Sequence, residues 1–195
     1  MSARILIVED ERITAEDLHE TLTDLGYLVT ATVSTGADAI AQGAENTPDL
    51  VLMDVRIQGA LDGTETARVL RERFNLPVIF LTAHADAVTV TRAKNAEPFG
   101  YITKPFREAA LHAGIEIALH KHGQDLKSRG KEELLSATLR AIAEGVISLN
   151  TSETITLFNP AAEAWTGLLA REAVGRPVND VFHLVSAASE EPAPA

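Results

Sequence analysis

The chain has 195 residues, of which 46% are hydrophobic and 23% charged, a composition typical of a globular protein of one domain or slightly more. Its formal net charge of −11 disfavours nonspecific binding to nucleic acids and to anionic membranes, and the absence of cysteine excludes disulfide bonds and thiolate metal sites. The N-terminal segment MSARILIVED is not a signal peptide, and no apolar run approaches the roughly 20 residues of a membrane span. These features predict a soluble cytoplasmic protein.

Short apolar runs alternate with helix-like segments through residues 1–122. The predicted strands are 5–8, 27–33, 50–53, 78–81 and 101–103. The predicted helices are 14–26, 36–46, 64–74, 86–97 and 107–122. In the first helix Leu18, Leu22 and Leu25 share a face, and Gly26 suits a C-terminal cap. Strands alternating with helices in this way predict an α/β fold with a doubly wound, five-stranded parallel sheet.

The character of the sequence changes after residue 122. Residues 123–133 are polar, contain two glycines and predict a helical or partly helical linker. Residues 134–195 predict a helix, two strands joined by a turn, and a short helix starting at NPAAEAWTG. This second segment is short for an independent core, and its Pro- and Ala-rich end (SEEPAPA) is expected to be disordered. Trp165 is predicted to be a core residue of the segment.

Polar side chains follow four of the predicted strands. The cluster Glu9, Asp10 and Glu11 after the first strand would, taken alone, be a solvated turn leading into a helix. The later strands deliver further polar side chains at the equivalent positions, namely Asp54, Thr82 and Lys104. Because the carboxyl ends of parallel strands meet at one edge of the sheet, these groups are expected to lie close together.

Clustered carboxylates repel one another, and a hard divalent cation with oxygen ligands relieves that repulsion. The absence of Cys, and of His beside the acids, favours Mg²⁺ over zinc or copper. A carboxylate, a hydroxyl and a lysine around Mg²⁺ are the groups that phosphoryl transfer needs. Asp54 is predicted to be the nucleophile that forms an aspartyl phosphate, with Lys104 neutralising charge and Thr82 donating a hydrogen bond.

Residues 4 to about 120 resemble the receiver domains of two-component response regulators. The resemblance rests on ILIVEDE, on VLMD with a later DG (residues 62–63), on FLTA and on GYITKPF. It implies a metal site formed by Glu9, Asp10, Asp54 and the backbone carbonyl of Arg56. It also implies the phospho-acceptor role for Asp54, and phosphate contacts from two side chains, Thr82 and Lys104.

The resemblance further implies a switch pair, Thr82 and Tyr101, in which the aromatic ring changes rotamer on activation. It implies a cis peptide bond before Pro105, as is common for X-Pro at a tight functional turn. The loop VRIQGALDG after Asp54 departs from the family pattern, because it lacks the usual proline and is one residue longer. Arg56 and His84 occupy the two positions that vary among receivers and tune the lifetime of the phosphate, so that lifetime is not predicted.

Residues 134 to about 186 resemble the N-terminal part of a PAS domain, through LRAIAEGVISLNTSETITLFNPAAEAWTG and EAVGRPVNDVF. The resemblance implies that the central helix and the last three strands of a PAS domain are missing. The predicted organisation is therefore a receiver domain (1–122), a linker (123–133) and a truncated PAS-like segment (134–195). His183 is read as a packed residue and not as a haem ligand, and no cofactor is assigned to this segment.

Other classes fit less well. A flavodoxin-like carrier needs a loop that binds a phosphate after the first strand, which three carboxylates would repel. A haloacid-dehalogenase-type hydrolase needs two aspartates two residues apart at that position, and a transcription factor needs a basic helix-turn-helix downstream. The histidines in or just after the last receiver helix lack the flanking pattern of a kinase phospho-acceptor and are read as surface or packing residues: His112, His120 and His122.

The sequence thus predicts a non-enzymatic phospho-acceptor, with at most self-phosphorylation from small donors and self-dephosphorylation. A histidine kinase would phosphorylate Asp54 with Mg²⁺, and the change would reach a PAS-containing output through the face formed by helix 86–97, strand 101–103 and helix 107–122. A non-catalytic receiver module that acts on a partner without its own output domain is the alternative. A homodimer through that face or the linker helix stays open, and neither nucleic acid nor membrane is expected as a partner.

Overall fold

The structure, a computed structural model, describes residues 2–83 and 98–182. The predicted helix 86–97, His84 and the chain from His183 onward lie outside these residues. The chain divides into two compact units, Met1–Leu126 and Lys127–Ala195.

The first unit is built on a parallel sheet of five strands. They are β1 (Arg4–Val8), β2 (Leu28–Val33), β3 (Leu50–Asp54), β4 (Val78–Thr82) and β5 (Gly100–Thr103). Their order across the sheet is β2-β1-β3-β4-β5, and every neighbouring pair is parallel. The three inner strands are almost continuously apolar and buried, because helices cover both faces of such a sheet. The predicted α/β fold is confirmed.

Four helices of the structure follow or separate these strands: α1 (Arg12–Asp24), α2 (Gly36–Asn46), α3 (Gly63–Phe74) and α4 (Glu108–Ala141). Helix α1 begins two residues earlier than predicted and ends just before Gly26, whose φ of +86° favours glycine. Helix α3 begins with a capping box, in which the Asp62 side chain accepts the N–H of Glu65 while the Glu65 side chain accepts the N–H of Asp62. These two features mark the end of α1 and the start of α3.

Two hydrophobic clusters hold the helices to the sheet. One cluster joins β1, β3 and β4 to α1 and the first part of α4, and it contains the predicted face residues Leu18 and Leu22. The other joins the opposite side of the same strands to α2 and α3, with Phe80 and Leu70 fully buried. The carboxyl edge of the sheet is thereby held rigidly from both faces.

The second unit contains a two-stranded antiparallel sheet and short helices. Strands β6 (Ile147–Leu149) and β7 (Ile155–Phe158) are followed by α5 (Pro160–Thr166), α6 (Ala170–Ala173) and α7 (Val178–Val181). Its buried cluster consists of Ile155, Phe158, Ala162 and Ala173. The strand–turn–strand–helix order of the prediction is confirmed, and the small sheet is consistent with a PAS-like segment.

Trp165 is not a core residue, so that prediction is wrong. Its side chain is 70% exposed, with one edge against Gly145, at which an added Cβ would lie 3.0 Å from Trp165 Cε3. The physical reason is the small size of the cluster, since the two strands and three short helices of this unit, within the described residues, place no layer over this large ring.

Helix α4 is one continuous element of 34 residues and includes the whole predicted linker. Its buried residues, Leu111, Ile115 and Ala118, all belong to the first part. From Gln124 to Thr138 every residue is exposed. Among the described residues, no helix combines the length and the apolar character that crossing a membrane requires.

Candidate functional site

The ends of β1 and β3 bring three carboxylates together. Carboxylate oxygens of Glu9, Asp10 and Asp54 lie within 4.8 Å of one another. Glu9 is only 3% exposed, whereas Asp10 and Asp54 are partly exposed. Glu11 does not join this group, because it occupies the N-cap position of α1 and its carboxylate accepts a 2.8 Å hydrogen bond from the Thr14 hydroxyl. The turn-and-helix interpretation therefore holds for Glu11 alone.

Lys104, one residue beyond β5, connects two of these acids. Its Nζ donates to Glu9 Oε2 at 2.5 Å and also to Asp54 Oδ2. The Lys104 side chain is 16% exposed, so the ion pairs are substantially shielded from water. One ammonium against three carboxylates leaves two negative charges of the cluster uncompensated.

The pKa values of the pair reflect this crowding. Burial raises the pKa of Glu9; the hydrogen bond from Lys104 opposes this shift and the charge of Asp54 adds to it. Burial alone would lower the pKa of Lys104, but hydrogen bonds to Asp54 and Glu9 outweigh it, and the pKa is raised. Lys104 therefore stays charged beside the two acids.

The loop after β3 orients the Asp54 carboxylate. The N–H of Arg56 donates to Asp54 Oδ1 at 2.8 Å, while Lys104 holds the other oxygen. The N–H of Gly63, the first residue of α3, donates to the carbonyl of Val55 at 3.2 Å. A Cβ atom at Gly63 would overlap the backbone carbonyl of Asp54, so only glycine allows α3 to start this close to β3.

The remaining predicted residues lie on the neighbouring strands. Thr82 is the last residue of β4 and is 6% exposed, and its carbonyl accepts the N–H of Lys104 at 2.8 Å. Tyr101 on β5 is 38% exposed, with its ring centroid 5.9 Å from that of Phe80. Partial burial raises the pKa of Tyr101. The peptide bond between Lys104 and Pro105 is cis.

The structure thus brings Glu9, Asp10, Asp54 and Lys104 together, with Thr82 on the adjoining strand. The phospho-acceptor, metal-binding, phosphate-contacting and switch roles of all these residues stay predictions, including the metal role of the Arg56 carbonyl and the coupling of Tyr101 to Thr82. The residues DG (62–63) contribute to the receiver resemblance, but the sequence alone predicts no physical role for the glycine. The signal for the start of α3 was present, since Asp62 followed three residues later by Glu65 has the spacing of a capping box.

Comparison with known proteins identifies this arrangement. The family model "Response regulator receiver domain" matches residues 5–116, more than half of the chain. The chain belongs to the response regulator receiver family. A second family model, "PAS fold", matches residues 133–191, so the predicted succession of a receiver domain and a PAS-like segment is confirmed.

A curated relative and two solved structures agree with this assignment. The uncharacterized transcriptional regulatory protein YrkP of Bacillus subtilis (strain 168) is 34% identical over 146 residues, which are 74% of this chain and 62% of YrkP. The chain therefore spans less than two thirds of that relative's length. The receiver domain of a modulated diguanylate cyclase from Desulfovibrio desulfuricans G20 is 42% identical with a TM-score of 0.62, over 64% of this chain and 99% of that structure.

The second solved structure is the receiver domain of a sensor histidine kinase from Pseudomonas aeruginosa PAO1. It is 30% identical with a TM-score of 0.57, over 62% of this chain and 99% of that structure. That structure has a magnesium ion coordinated in its active-site cleft. These matches support the receiver fold and a role in two-component signalling for this chain.

Proposed function

We propose that the receiver domain accepts a phosphoryl group on Asp54 from a histidine kinase and switches in response. The observation that carries this proposal is the bridge from Lys104 Nζ to Glu9 and Asp54, which joins the ends of three strands in one partly buried acidic site. A structural ion pair would not need three carboxylates around one ammonium. A site that receives a dianionic phosphoryl group needs both the cation and the anchored nucleophile.

In the proposed transfer, an Asp54 carboxylate oxygen attacks the phosphorus atom of a phosphohistidine. A P–O bond forms, the P–N bond breaks, and the imidazole nitrogen keeps the electron pair and takes up a proton. The Lys104 ammonium shifts from the Asp54 carboxylate to the arriving phosphoryl oxygens. Thr82 donates a hydrogen bond to one of these oxygens. The N–H of Arg56, 2.8 Å from Asp54 Oδ1, keeps the carboxylate oriented before the transfer.

The donor set fits Mg²⁺. It is made only of oxygen, it carries two uncompensated negative charges, and its carboxylate oxygens lie within 4.8 Å of one another. Glu9, Asp10, Asp54 and the Arg56 carbonyl would hold the ion. When bound, Mg²⁺ neutralises charge on the phosphoryl oxygens. The protein's own task is to hold the three carboxylates in place, through the buried ends of β1 and β3.

The switch is proposed to act through Thr82 and Tyr101. Thr82 turns its hydroxyl toward the phosphate, and the space it leaves admits the Tyr101 ring. The response then alters the face that includes β5 and the first part of α4 and reaches the PAS-containing output. By their names, relatives of this receiver act with different outputs, a transcriptional regulatory protein in YrkP and a diguanylate cyclase in the Desulfovibrio desulfuricans protein.

Intact-mass spectrometry after treatment with acetyl phosphate and Mg²⁺ tests the proposal. The wild type should gain one phosphoryl group, and Asp54→Asn should gain none, because an amide is not a nucleophile here. Asp17→Asn, an exposed aspartate on α1, is the matched control and should be labelled like the wild type. Equal labelling of all three proteins would contradict the assignment of Asp54.

A further inference from the structure

Asn159 is a buried polar residue in the second unit with every side-chain group bonded. It is 3% exposed and lies at the N-cap of α5. Its Nδ2 donates to the carbonyls of Leu139 at 3.1 Å and Glu144 at 3.0 Å. Its Oδ1 accepts the N–H groups of Val146 at 2.8 Å and Ala162 at 2.9 Å. A single amide thus connects a helix end, a loop, a strand start and a second helix.

The hydrogen bond from Asn159 to the Leu139 carbonyl connects the second unit's hairpin region to the end of helix α4. Helix α4 ends at Ala141, and the last four carbonyls of an α-helix have no partner within the helix. Asn159 supplies the missing donor for one of them from outside the helix. Backbone bonding adds to this, since the N–H of Asn159 donates to the carbonyl of Val146 at 3.1 Å, directly before β6. The end of α4 and the β6–β7 hairpin are therefore joined through one side chain.

The same helix begins shortly after Lys104 of the proposed phosphorylation site. Glu108, the first residue of α4, follows Lys104 by four residues, and the early part of α4 packs against the receiver core through Leu111 and Ile115. Between Gln124 and Thr138 every residue is exposed, so no packing of those side chains holds the helix from the side. A displacement of the helix is therefore transmitted through the hydrogen bond between the Leu139 carbonyl in its last turn and Asn159.

We propose that Asn159 is a positioning residue that passes a change in α4 to the β6–β7 hairpin. This inference rests on the proposed function, because phosphorylation of Asp54 supplies the change. The NH₂ group of the amide bonds the helix end through the Leu139 carbonyl and the following loop through the Glu144 carbonyl. The acceptor half transfers the displacement to Val146, which precedes β6, and to Ala162 in α5. Among neutral side chains, only the amides of Asn and Gln combine an NH₂ group that donates two hydrogen bonds with a separate oxygen that accepts two.

The test separates the two halves of the amide. Asn159→Asp keeps the acceptor oxygen but replaces the NH₂ group, with its two donors, by a carboxylate oxygen that faces two carbonyls. Asn150→Asp is the matched control, since Asn150 Oδ1 only accepts, from the N–H groups of Ser152 and Thr154, and Asp can do the same. Amide hydrogen exchange of the full chain is measured with Mg²⁺, with and without beryllofluoride, a mimic of the phosphoryl group.

In the wild type and in Asn150→Asp, beryllofluoride should change the exchange rates of the Val146 and Asn159 amides by about threefold or more. In Asn159→Asp that difference should fall to nearly nothing, while the amides of β5 respond as in the wild type. A full hairpin response in Asn159→Asp would overturn the proposal. A merely structural residue would change the resting exchange rates but leave the response to beryllofluoride in place.

Two further outcomes are decisive. Asn159→Ser keeps an N-cap oxygen, so it shows whether a lost response in Asn159→Asp comes only from unfolding. If the β7 amides are unprotected without beryllofluoride in both Asn159→Asp and Asn159→Ser, Asn159 is required for folding and the proposal fails. A wild-type receiver that responds in β5 without any change at Val146 overturns this inference and leaves the proposed function standing. A receiver that shows no response in β5 overturns both.

Discussion

Gly63 lies directly against the backbone carbonyl of Asp54, so close that any side chain at position 63 would overlap it. The glycine is the first residue of α3, and its N–H bonds the carbonyl of Val55. The start of a helix on the far side of the loop thus sets the position of the proposed nucleophile.

Gly63→Ala should damage both stability and phosphorylation. Its φ is not positive, so alanine suits the helical backbone, and the whole effect comes from the collision with Asp54. We expect the free energy of unfolding to fall by about 1–3 kcal/mol, as for other overpacked sites. Displacement of Asp54 should also slow phosphoryl uptake from acetyl phosphate. Urea denaturation and intact-mass time courses measure the two effects.

Gly130→Ala is the control for that substitution. Gly130 lies inside α4 with no atom near its absent Cβ, so alanine there should raise helix stability by about 0.5–1 kcal/mol. Its phosphorylation should be unchanged. If Gly63→Ala behaved like Gly130→Ala in both assays, the close contact between Gly63 and the Asp54 carbonyl would affect neither stability nor phosphorylation.

Much of the first unit was predictable because its signals are local. Apolar runs such as 5–8 and 50–53 mark inner parallel strands, and the polar residue after each run marks the carboxyl edge of the sheet. The convergence of Glu9, Asp54 and Lys104 follows from that rule without knowledge of any distance.

The features that sequence reasoning missed depend on contacts between distant residues. The need for glycine at position 63 arises from the Asp54 carbonyl, and no local pattern records it. The exposure of Trp165 depends on which layers cover its helix, whereas composition alone favours burial of a tryptophan. For the polar segment 123–133 a helical or partly helical linker is predicted, because two glycines lower helix propensity, and only the structure shows that α4 continues through all of it.

Mg²⁺ binding should depend more on Asp10 than on Glu9. Lys104 already neutralises Glu9, whereas no hydrogen bond or ion pair engages the Asp10 carboxylate within residues 2–83 and 98–182. Asp10→Asn should therefore weaken Mg²⁺ binding by about tenfold or more, and Glu9→Gln by less. Calorimetric titration of both variants, with Asp17→Asn as the control, measures the affinities. A larger loss in Glu9→Gln would invert the assignment of the two acids.

Tyr27 should stabilise the packing of α4 on the sheet. Its hydroxyl donates to Glu116 Oε1 at 2.8 Å and lies 2.7 Å from His112 Nδ1. Tyr27→Phe should lower the free energy of unfolding by about 1–3 kcal/mol near neutral pH, because two polar groups of α4 lose their partner. Urea denaturation measures the change, with Tyr101→Phe as the control, which should have a smaller effect.

The contribution of Tyr27 should have a defined pH dependence. Burial, followed by the hydrogen bond to Glu116, raises the pKa of Tyr27 far above its ordinary value of 10.0. A raised folded-state pKa means that the stabilisation is fully present below about pH 10 and declines as the pH rises toward the folded-state value. The stability difference between wild type and Tyr27→Phe should thus be constant from neutral pH to about pH 9. A difference that vanished below that pH would contradict the hydrogen-bonded, protonated hydroxyl.

The isolated segment 134–195 should be largely unfolded, whereas 1–122 should melt cooperatively. In the described part of the segment, the buried cluster has four members, two of them alanines, and the sheet has two strands. That area is too small to offset roughly 1–2 kcal/mol of backbone entropy per ordered residue. Amide NMR spectra of the two fragments make the comparison. Well-dispersed signals from 134–195 would show that the segment folds by itself or in a dimer.

The last prediction concerns the coupling of Thr82 to Tyr101. Phe80 of β4 pairs with Tyr101 of β5, and Thr82 pairs with Thr103 two positions further along the same strands. Tyr101 is therefore one strand away from Thr82 and three residues before Lys104. Thr82→Ala should still accept a phosphoryl group on Asp54, more slowly, because the nucleophile and Lys104 remain. It should transmit less of the change to Tyr101, since the hydroxyl that is drawn toward the phosphate is gone.

Thr103→Ala is the matched control, because Thr103 is the exposed cross-strand partner of Thr82. NMR shifts around Tyr101 are compared with and without beryllofluoride in the wild type and both variants. Beryllofluoride should shift the Tyr101 ring signals in the wild type and in Thr103→Ala, and much less in Thr82→Ala. The alternative is that Tyr101 is a surface aromatic resting on Phe80, in which case all three proteins respond alike. Identical shifts in Thr82→Ala and the wild type would mean that the hydroxyl does not connect the phosphorylation site to the ring.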